Sequence, residues 1–459
     1  MAASKESNDA RTATPEERRN FRRLLGASSV SMLGSHVTTI AYPLLVLHLT
    51  GSPVTAGLVA FAANAPGILA PLPAGVLADR WNPKRTVLLS ESLRGVAVAA
   101  VVIAVVTGIT TVPLLVAVAF IEGALEVLSE LSLQRLTRSL LDGRRVSSAQ
   151  VSLEARSHVA LVAGRLVGSM LFGLGPFLPF LTDVLSFILA VPIVSKISND
   201  NLRTCGAARK SSLAEDVKLG FRQIKRDQFA RMAIVICSSG TLIVQALIMV
   251  FLSAAQRGGL PGYVIGVILA ASGIGGIFGS LASRRLHTAK RSWIRIQMAV
   301  WAAAFALLTF PVERSFFGYS TVMTVIGFAG ALGNIELRRH IMHNTDEAML
   351  ARTTSISTLA TSVGVALGPV LGGLLFQQFG VQWASICLFF CALVLMLVSF
   401  CMPTTPQDQS APPTSEGSGQ NPASEAGESR HPEGKDRYII IVWHGIFIAW
   451  HDGPPANRS

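Results

Sequence analysis

Twelve stretches of about twenty mostly apolar residues follow one another along the chain, and no other feature restricts its fold so strongly. They lie at residues 24–47, 54–77, 86–107, 112–133, 151–174, 176–195, 232–253, 262–282, 292–311, 316–337, 353–376 and 381–402, and are numbered here as segments 1 to 12. Each is near the roughly 20 residues that a helix needs to cross the hydrocarbon core of a bilayer. A helix satisfies its own backbone N–H and C=O groups where water is absent. Composition agrees, since only 14% of residues are charged against about a quarter in soluble domains. The sequence therefore predicts an all-α membrane protein with twelve transmembrane helices.

Basic residues alternate between the loops. With the N-terminus inside, one set contains Arg80, Lys84 and Arg85, then Arg135, Arg138, Arg144 and Arg145, the stretch 196–231, the run from Arg284 to Arg295, and Arg338 with Arg339. The opposite set has only Arg257 and Arg314. This is the positive-inside asymmetry, and it predicts a multi-pass protein of the plasma membrane with both termini cytoplasmic. The formal net charge of +12 then reflects topology and attraction to anionic headgroups. No basic patch interleaved with aromatics points to nucleic acid. The polar residues 1–23 exceed the n-region of a cleaved signal peptide, so segment 1 is expected to stay attached.

The segments also repeat. Residues 159–175, VALVAGRLVGSMLFGLG, resemble 361–380, TSVGVALGPVLGGLLFQQFG, with Gly164, Arg165 and Gly168 matching Gly368, Pro369 and Gly372. GVLADRW at 75–81 has a weaker counterpart in GSLASRR at 279–285. The predicted organisation is a cytoplasmic N-terminal segment (1–23), a six-helix half (24–195), a cytoplasmic linker (196–231), a second six-helix half (232–402) and a mostly disordered tail (403–459). Parallel repeats of this kind place a substrate site near the bilayer midplane, between the halves. Within the tail, YIIIVWHGIFIAW at 438–450 is apolar but too short to span.

GVLADRWNPKR at 75–85 resembles the signature of the major facilitator superfamily between its second and third spans. FLTDVLSFILA, VIGVILAASGIGGIFGSLASRRL and LGPVLGGLL are similar to the same group, over residues 20–402, and point to its twelve-span drug and siderophore exporters. The resemblance implies that Asp79 faces the helix N-terminus near Thr353, as a latch between the halves. Gly75 would allow close helix approach, and Arg80, Lys84 and Arg85 would hold the loop at the anionic surface. Two positions depart from the pattern. Asn82-Pro83 replaces the turn glycine, and both are turn formers; Arg165 stands where the Gly-Pro pattern has proline, which bears on how segment 5 bends.

Gly164/Gly168, Gly275/Gly279 and Gly368/Gly372 have the small-xxx-small spacing of closely packed helices. Such contacts serve either sliding between the halves or static packing.

Segment 4 carries Glu122, Glu126 and Glu130 on one helical face. Three neighbouring carboxylates in a membrane interior cannot all ionise without partners. Depth matching predicts pairs of Glu122 with Arg165 and Glu130 with Arg156, which leaves Glu126 as the proton carrier. The alternative is a fixed polar network joining segments 4 and 5. His36, Asn64, Gln245 and Asn334 are candidates for lining a cavity. Glu91 and Arg94 are expected to form a local pair, and Asp183 to be structural.

No phosphate loop, nucleophile elbow or metal-binding helix motif occurs. Neither a cofactor nor a metal is expected, and the chain is not predicted to be an enzyme. Cys237, Cys387, Cys391, Cys401 and Cys205 offer no extracellular pair for a disulfide. The sequence predicts a monomeric, proton-coupled efflux transporter whose partners are a small-molecule cargo, protons and the lipid bilayer. A dedicated exporter of one siderophore or secondary metabolite, and a non-transporting scaffold or sensor with the same fold, are the alternatives.

Overall fold

The computed structural model describes residues 15–140, 143–197, 227–286, 292–309, 316–345, 347–402, 439–443 and 446–450, with isolated positions at 222, 224 and 225. Every apolar segment falls on helix. Segment 1 lies on Pro15–Thr50, segment 3 on Pro83–Thr107, segment 4 on Val112–Leu140, segment 5 on Gly143–Leu174 and segment 6 on Leu178–Ser195. Segments 7 to 10 lie on Gln228–Arg257, Gly262–Leu286, Trp293–Leu307 and Phe316–Asn344, and segments 11 and 12 share Glu347–Phe400. Among the described residues, eight helices are long and apolar enough to cross a membrane; Pro53–Leu69, Val159–Leu174 and Trp293–Leu307 are shorter apolar helices.

Segment 2 is the exception to continuity. It breaks into Pro53–Asn64, Pro66–Leu69 and Pro71–Arg80, because Pro66 and Pro71 each remove a backbone donor and clash with the preceding turn. Segment 5 passes Arg165 without a break, and segment 11 passes Pro369 without one. Segments 11 and 12 part at Gly380, whose φ of 71° and ψ of −179° lie in a region open essentially to glycine alone.

Packing repeats with an offset of six. Segment 1 packs on 5 and 6, segment 2 on 4, and segment 3 on 4 and 6. Correspondingly, segment 7 packs on the 11–12 element, segment 8 on 10, and segment 9 on 10 and the 11–12 element. The broadest contacts between the repeats are those of segment 2 with the 11–12 element and of segment 5 with segment 8, and segment 7 makes smaller ones with segments 1 and 2. Basic side chains cap corresponding helix ends. Lys84 Nζ donates to the carbonyls of Ser195 and Ile197 at 2.9 and 2.6 Å, and Arg295 donates to those of Ser399 and Met402. Lys84 is buried, so its expected role at the headgroups is corrected: it satisfies orphan carbonyls at the end of segment 6. Arg80 and Arg85 remain exposed.

The glycine pairs face partners within each repeat, as the static-packing alternative has it, and not across an interface between the halves. A Cβ at Gly164 would lie 2.4 Å from His36, and one at Gly168 2.6 Å from the Val37 carbonyl. Gly368 and Gly372 press likewise on Gln245 and Ala246, and Gly275 and Gly279 on Thr324 and Phe328. The glycines between the repeats are others. Gly57 meets Pro369, Gly373 meets Pro53, and Gly262 and Gly266 meet Ser169 and Leu166. Around Gly75 nothing lies within 4 Å of an added Cβ, so the close approach expected there does not occur.

The turn after Arg80 survives its changed sequence. Asn82 caps the next helix, its side chain accepting from the amides of Lys84 and Arg85, and Pro83 takes the first helical position. Asp79 lies on Pro71–Arg80, but its side chain is outside the described residues. Beyond residue 405 the chain forms a separate unit; in it, Ile439–Trp443 and Ile446–Trp450 pair as two antiparallel strands.

Candidate functional site

Arg94 is the hub of the first repeat's interior. It sits on segment 3, 3% exposed, with its guanidinium 3.7 Å from Glu91, 3.6 Å from Glu122 and 3.6 Å from Glu126. It also donates to Ser35 Oγ at 2.7 Å and lies over the Phe187 ring, 4.9 Å from the centroid. Segments 1, 3, 4 and 6 thus converge on one cation. The sequence signal was there in Glu91 and Arg94, one turn apart, but its reach to segment 4 was missed.

The predicted pairs are therefore corrected. Glu122 meets Arg94 and not Arg165, because segments 3 and 4 pack side by side whereas 4 and 5 touch little. Arg165 donates instead to Ser272 Oγ on segment 8, at 3.1 Å. Arg156 hydrogen-bonds Ser28, and Glu130 accepts from Gln134 at 3.3 Å; no Glu130–Arg156 ion pair is present among the described residues.

The three carboxylates around Arg94 are not equivalent. Glu91 accepts from Ser129 at 2.6 Å and from Ser31. Glu122 accepts from Tyr42 at 2.9 Å. Glu126 has Arg94 as its one ion-pair partner among the described residues, and its side chain is 51% exposed against 8% for Glu122. It faces a cavity of about 50 Å³ that also exposes Glu91, Arg94, Glu130 and Arg156. Asp183 accepts from Thr38 at 2.7 Å and from Ser186, a fully buried tie between segments 1 and 6.

A second cavity, of about 80 Å³, gathers His36, Asn64, Arg165, Gln245 and Pro369 from segments 1, 2, 5, 7 and 11. Its apolar wall includes Ile248, Met249 and Leu252. Asn334 is exposed and does not line it. Three of the four polar cavity candidates thus share one space between the repeats. It has room for a few water molecules.

The family model described as transmembrane secretion effector, of the major facilitator superfamily, matches residues 10–424. The chain belongs to this family. Among relatives of this superfamily member, an uncharacterized MFS-type transporter, y4rN, of Sinorhizobium fredii is 25% identical over 362 residues, covering 77% of this chain and 88% of the relative. The multidrug efflux pump Tap of Mycolicibacterium fortuitum is 36% identical over 90 residues, 19% of this chain and 22% of Tap. Solved structures show the same fold. The nucleoside transporter NupG aligns with a TM-score of 0.67 at 14% identity, over 83% of this chain and 98% of that one. A bacterial homolog of the human lysosomal transporter Spinster aligns with a TM-score of 0.65 at 13% identity, over 88% and 100%. This superfamily member is thus a membrane transporter with the major facilitator fold.

Proposed function

We propose that the protein exports amphipathic drugs or natural products in exchange for protons, by alternating access between two six-helix halves. In this reading twelve helices cross the plasma membrane, residues 24–195 and 232–402 form the halves, and both termini are cytoplasmic. The observation that carries it is the Arg94 cluster. One guanidinium faces three carboxylates within 3.7 Å, so the acids gathered there outnumber the cation that offsets them. Glu126 is the member with the fewest donors and an opening to a cavity, so it is the carboxylate that exchanges the proton. Glu122, held by Tyr42 and Arg94, sets the field that Glu126 feels, and Glu130 with Arg156 lines the route from the same cavity. The match to Tap supports an efflux direction over the short stretch it covers. Asp79, at the end of segment 2, acts in this reading as a latch toward the helix N-terminus near Thr353.

Ionisable groups in membrane interiors mark proton relays by default, and the alternative here is a fixed network. Substrate-dependent proton movement in proteoliposomes separates the two. The parent is expected to show proton counterflow with hydrophobic drugs, and Glu126→Gln to lose both counterflow and the pH dependence of transport while still folding. Retention of both by Glu126→Gln would remove Glu126 from the path.

A further inference from the structure

Neither Arg156 nor Arg165 acquires the acid that depth matching assigns it, and of the two it is Arg165 that lines the cavity between the repeats. Among the described residues its hydrogen bond is to a neutral hydroxyl, Ser272 Oγ, at 3.1 Å, and no carboxylate lies within ion-pair distance. A guanidinium carries five N–H donors in a planar fork, and Arg stays protonated. A cation at this depth is costly unless something negative meets it. Arg94, by contrast, stands among three carboxylates on its own half. Glu122 and Glu126 of segment 4 are thus committed elsewhere.

The surroundings of Arg165 show what could meet it. It lines the cavity between the repeats, with the amide side chains of Asn64 and Gln245 and the imidazole of His36 on the same wall system. Pro369, the residue that matches Arg165 in the repeat, lines that cavity too and is uncharged. The two sides of the cavity therefore differ: the first repeat offers a cation, and the second offers Ile248, Met249 and Leu252 with one amide.

We propose that Arg165 binds the anionic group of the cargo, and that the cargo class is an organic anion, a carboxylate or similar oxyanion on an apolar body. The anion pairs with the guanidinium fork, bidentate where its geometry allows, Asn64 and Gln245 donate to its remaining oxygens, and the apolar body lies against segment 7. Because Arg165 also bonds Ser272 across the contact of segments 5 and 8, an anion that draws the guanidinium toward itself competes with a bond joining the repeats. Cargo binding is thereby coupled to loosening of that contact. This inference rests on the transport reading above and adds the charge of the cargo to it.

The test uses the full chain in lipid nanodiscs and three matched triplets of probes with naphthyl, decyl and fluorescein-sized bodies. Each triplet carries a carboxylate, a carboxamide or a trimethylammonium group. Carboxylates are expected to bind about tenfold to a hundredfold more tightly than their carboxamides, the span of one or two charge-assisted hydrogen bonds. Arg165→Gln should erase this preference and Arg165→Lys should keep part of it. Removing Arg165 strands no acid, so the variants should fold, and a thermal melt of each checks this. A preference for carboxylates that survives Arg165→Gln overturns the assignment of Arg165. Preference for the trimethylammonium probes overturns the organic-anion class and leaves export standing. Failure of every probe to bind or be transported by folded parent overturns both.

Discussion

The two repeats share a scaffold and divide the chemistry. Segment for segment they pack alike: Gly164 and Gly168 seat segment 5 on segment 1 as Gly368 and Gly372 seat segment 11 on segment 7. Lys84 and Arg295 cap corresponding helix ends. Yet Arg94, Glu91, Glu122, Glu126, Arg165 and Asp183 all belong to the first repeat, while the matching positions of the second are largely neutral. Duplicated packing fixes the architecture, and charge placed in one copy gives the pair a direction. A symmetric cage would place its ionisable groups equally on either side of its axis; this one gathers them on one side.

Removing the hub should do most damage to that contrast. Arg94→Gln leaves Glu91, Glu122 and Glu126 without their cation, and breaking a buried charge set costs about 3–5 kcal/mol. Thermal unfolding in detergent should show a large loss of stability, partly restored by adding Glu122→Gln, which removes one stranded acid. No rescue would mean that Arg94 stabilises through packing on Phe187 and not through charge.

The caps should behave as equals. Lys84→Ala and Arg295→Ala each lose hydrogen bonds from a cation to helix-terminal carbonyls, about 1.5–3 kcal/mol by the usual range for charged groups. Similar losses in unfolding midpoint would confirm matched roles; a marked inequality would break the symmetry at the helix ends.

The smallest effect should come from a matched glycine pair. Gly75 and Gly279 correspond in the repeat, but a Cβ at Gly279 would lie 2.4 Å from the Phe328 carbonyl whereas Gly75 has open space. Gly279→Ala should destabilise, and Gly75→Ala should be neutral or stabilising by up to about 1 kcal/mol, the helix propensity difference. Comparable losses from both would show that segment 2 closes around Gly75 in another state of the cycle.

Much of the fold was legible because hydrocarbon leaves a chain few choices: a long apolar run becomes a helix, and a duplicated run becomes a duplicated arrangement. The site was less legible, for a geometric reason. Glu122 and Arg165 lie at similar depth on consecutive segments, and depth was mistaken for proximity. Chain order does not give helix order around a bundle, so Arg94 on segment 3 was the neighbour instead. The break in segment 2 was written in Pro66 and Pro71 but masked by the hydropathy around them. Glycine spacing announced close contacts and could not say with whom. His36, Asn64 and Gln245 were easier, since polar groups on apolar segments have few places to go other than inward.

Gly380 separates segments 11 and 12 with a single residue. A joint of one residue has no slack. The adjoining ends of segments 11 and 12 therefore stay together in any rearrangement, and segment 11 itself touches the first repeat through Gly373 and Pro53.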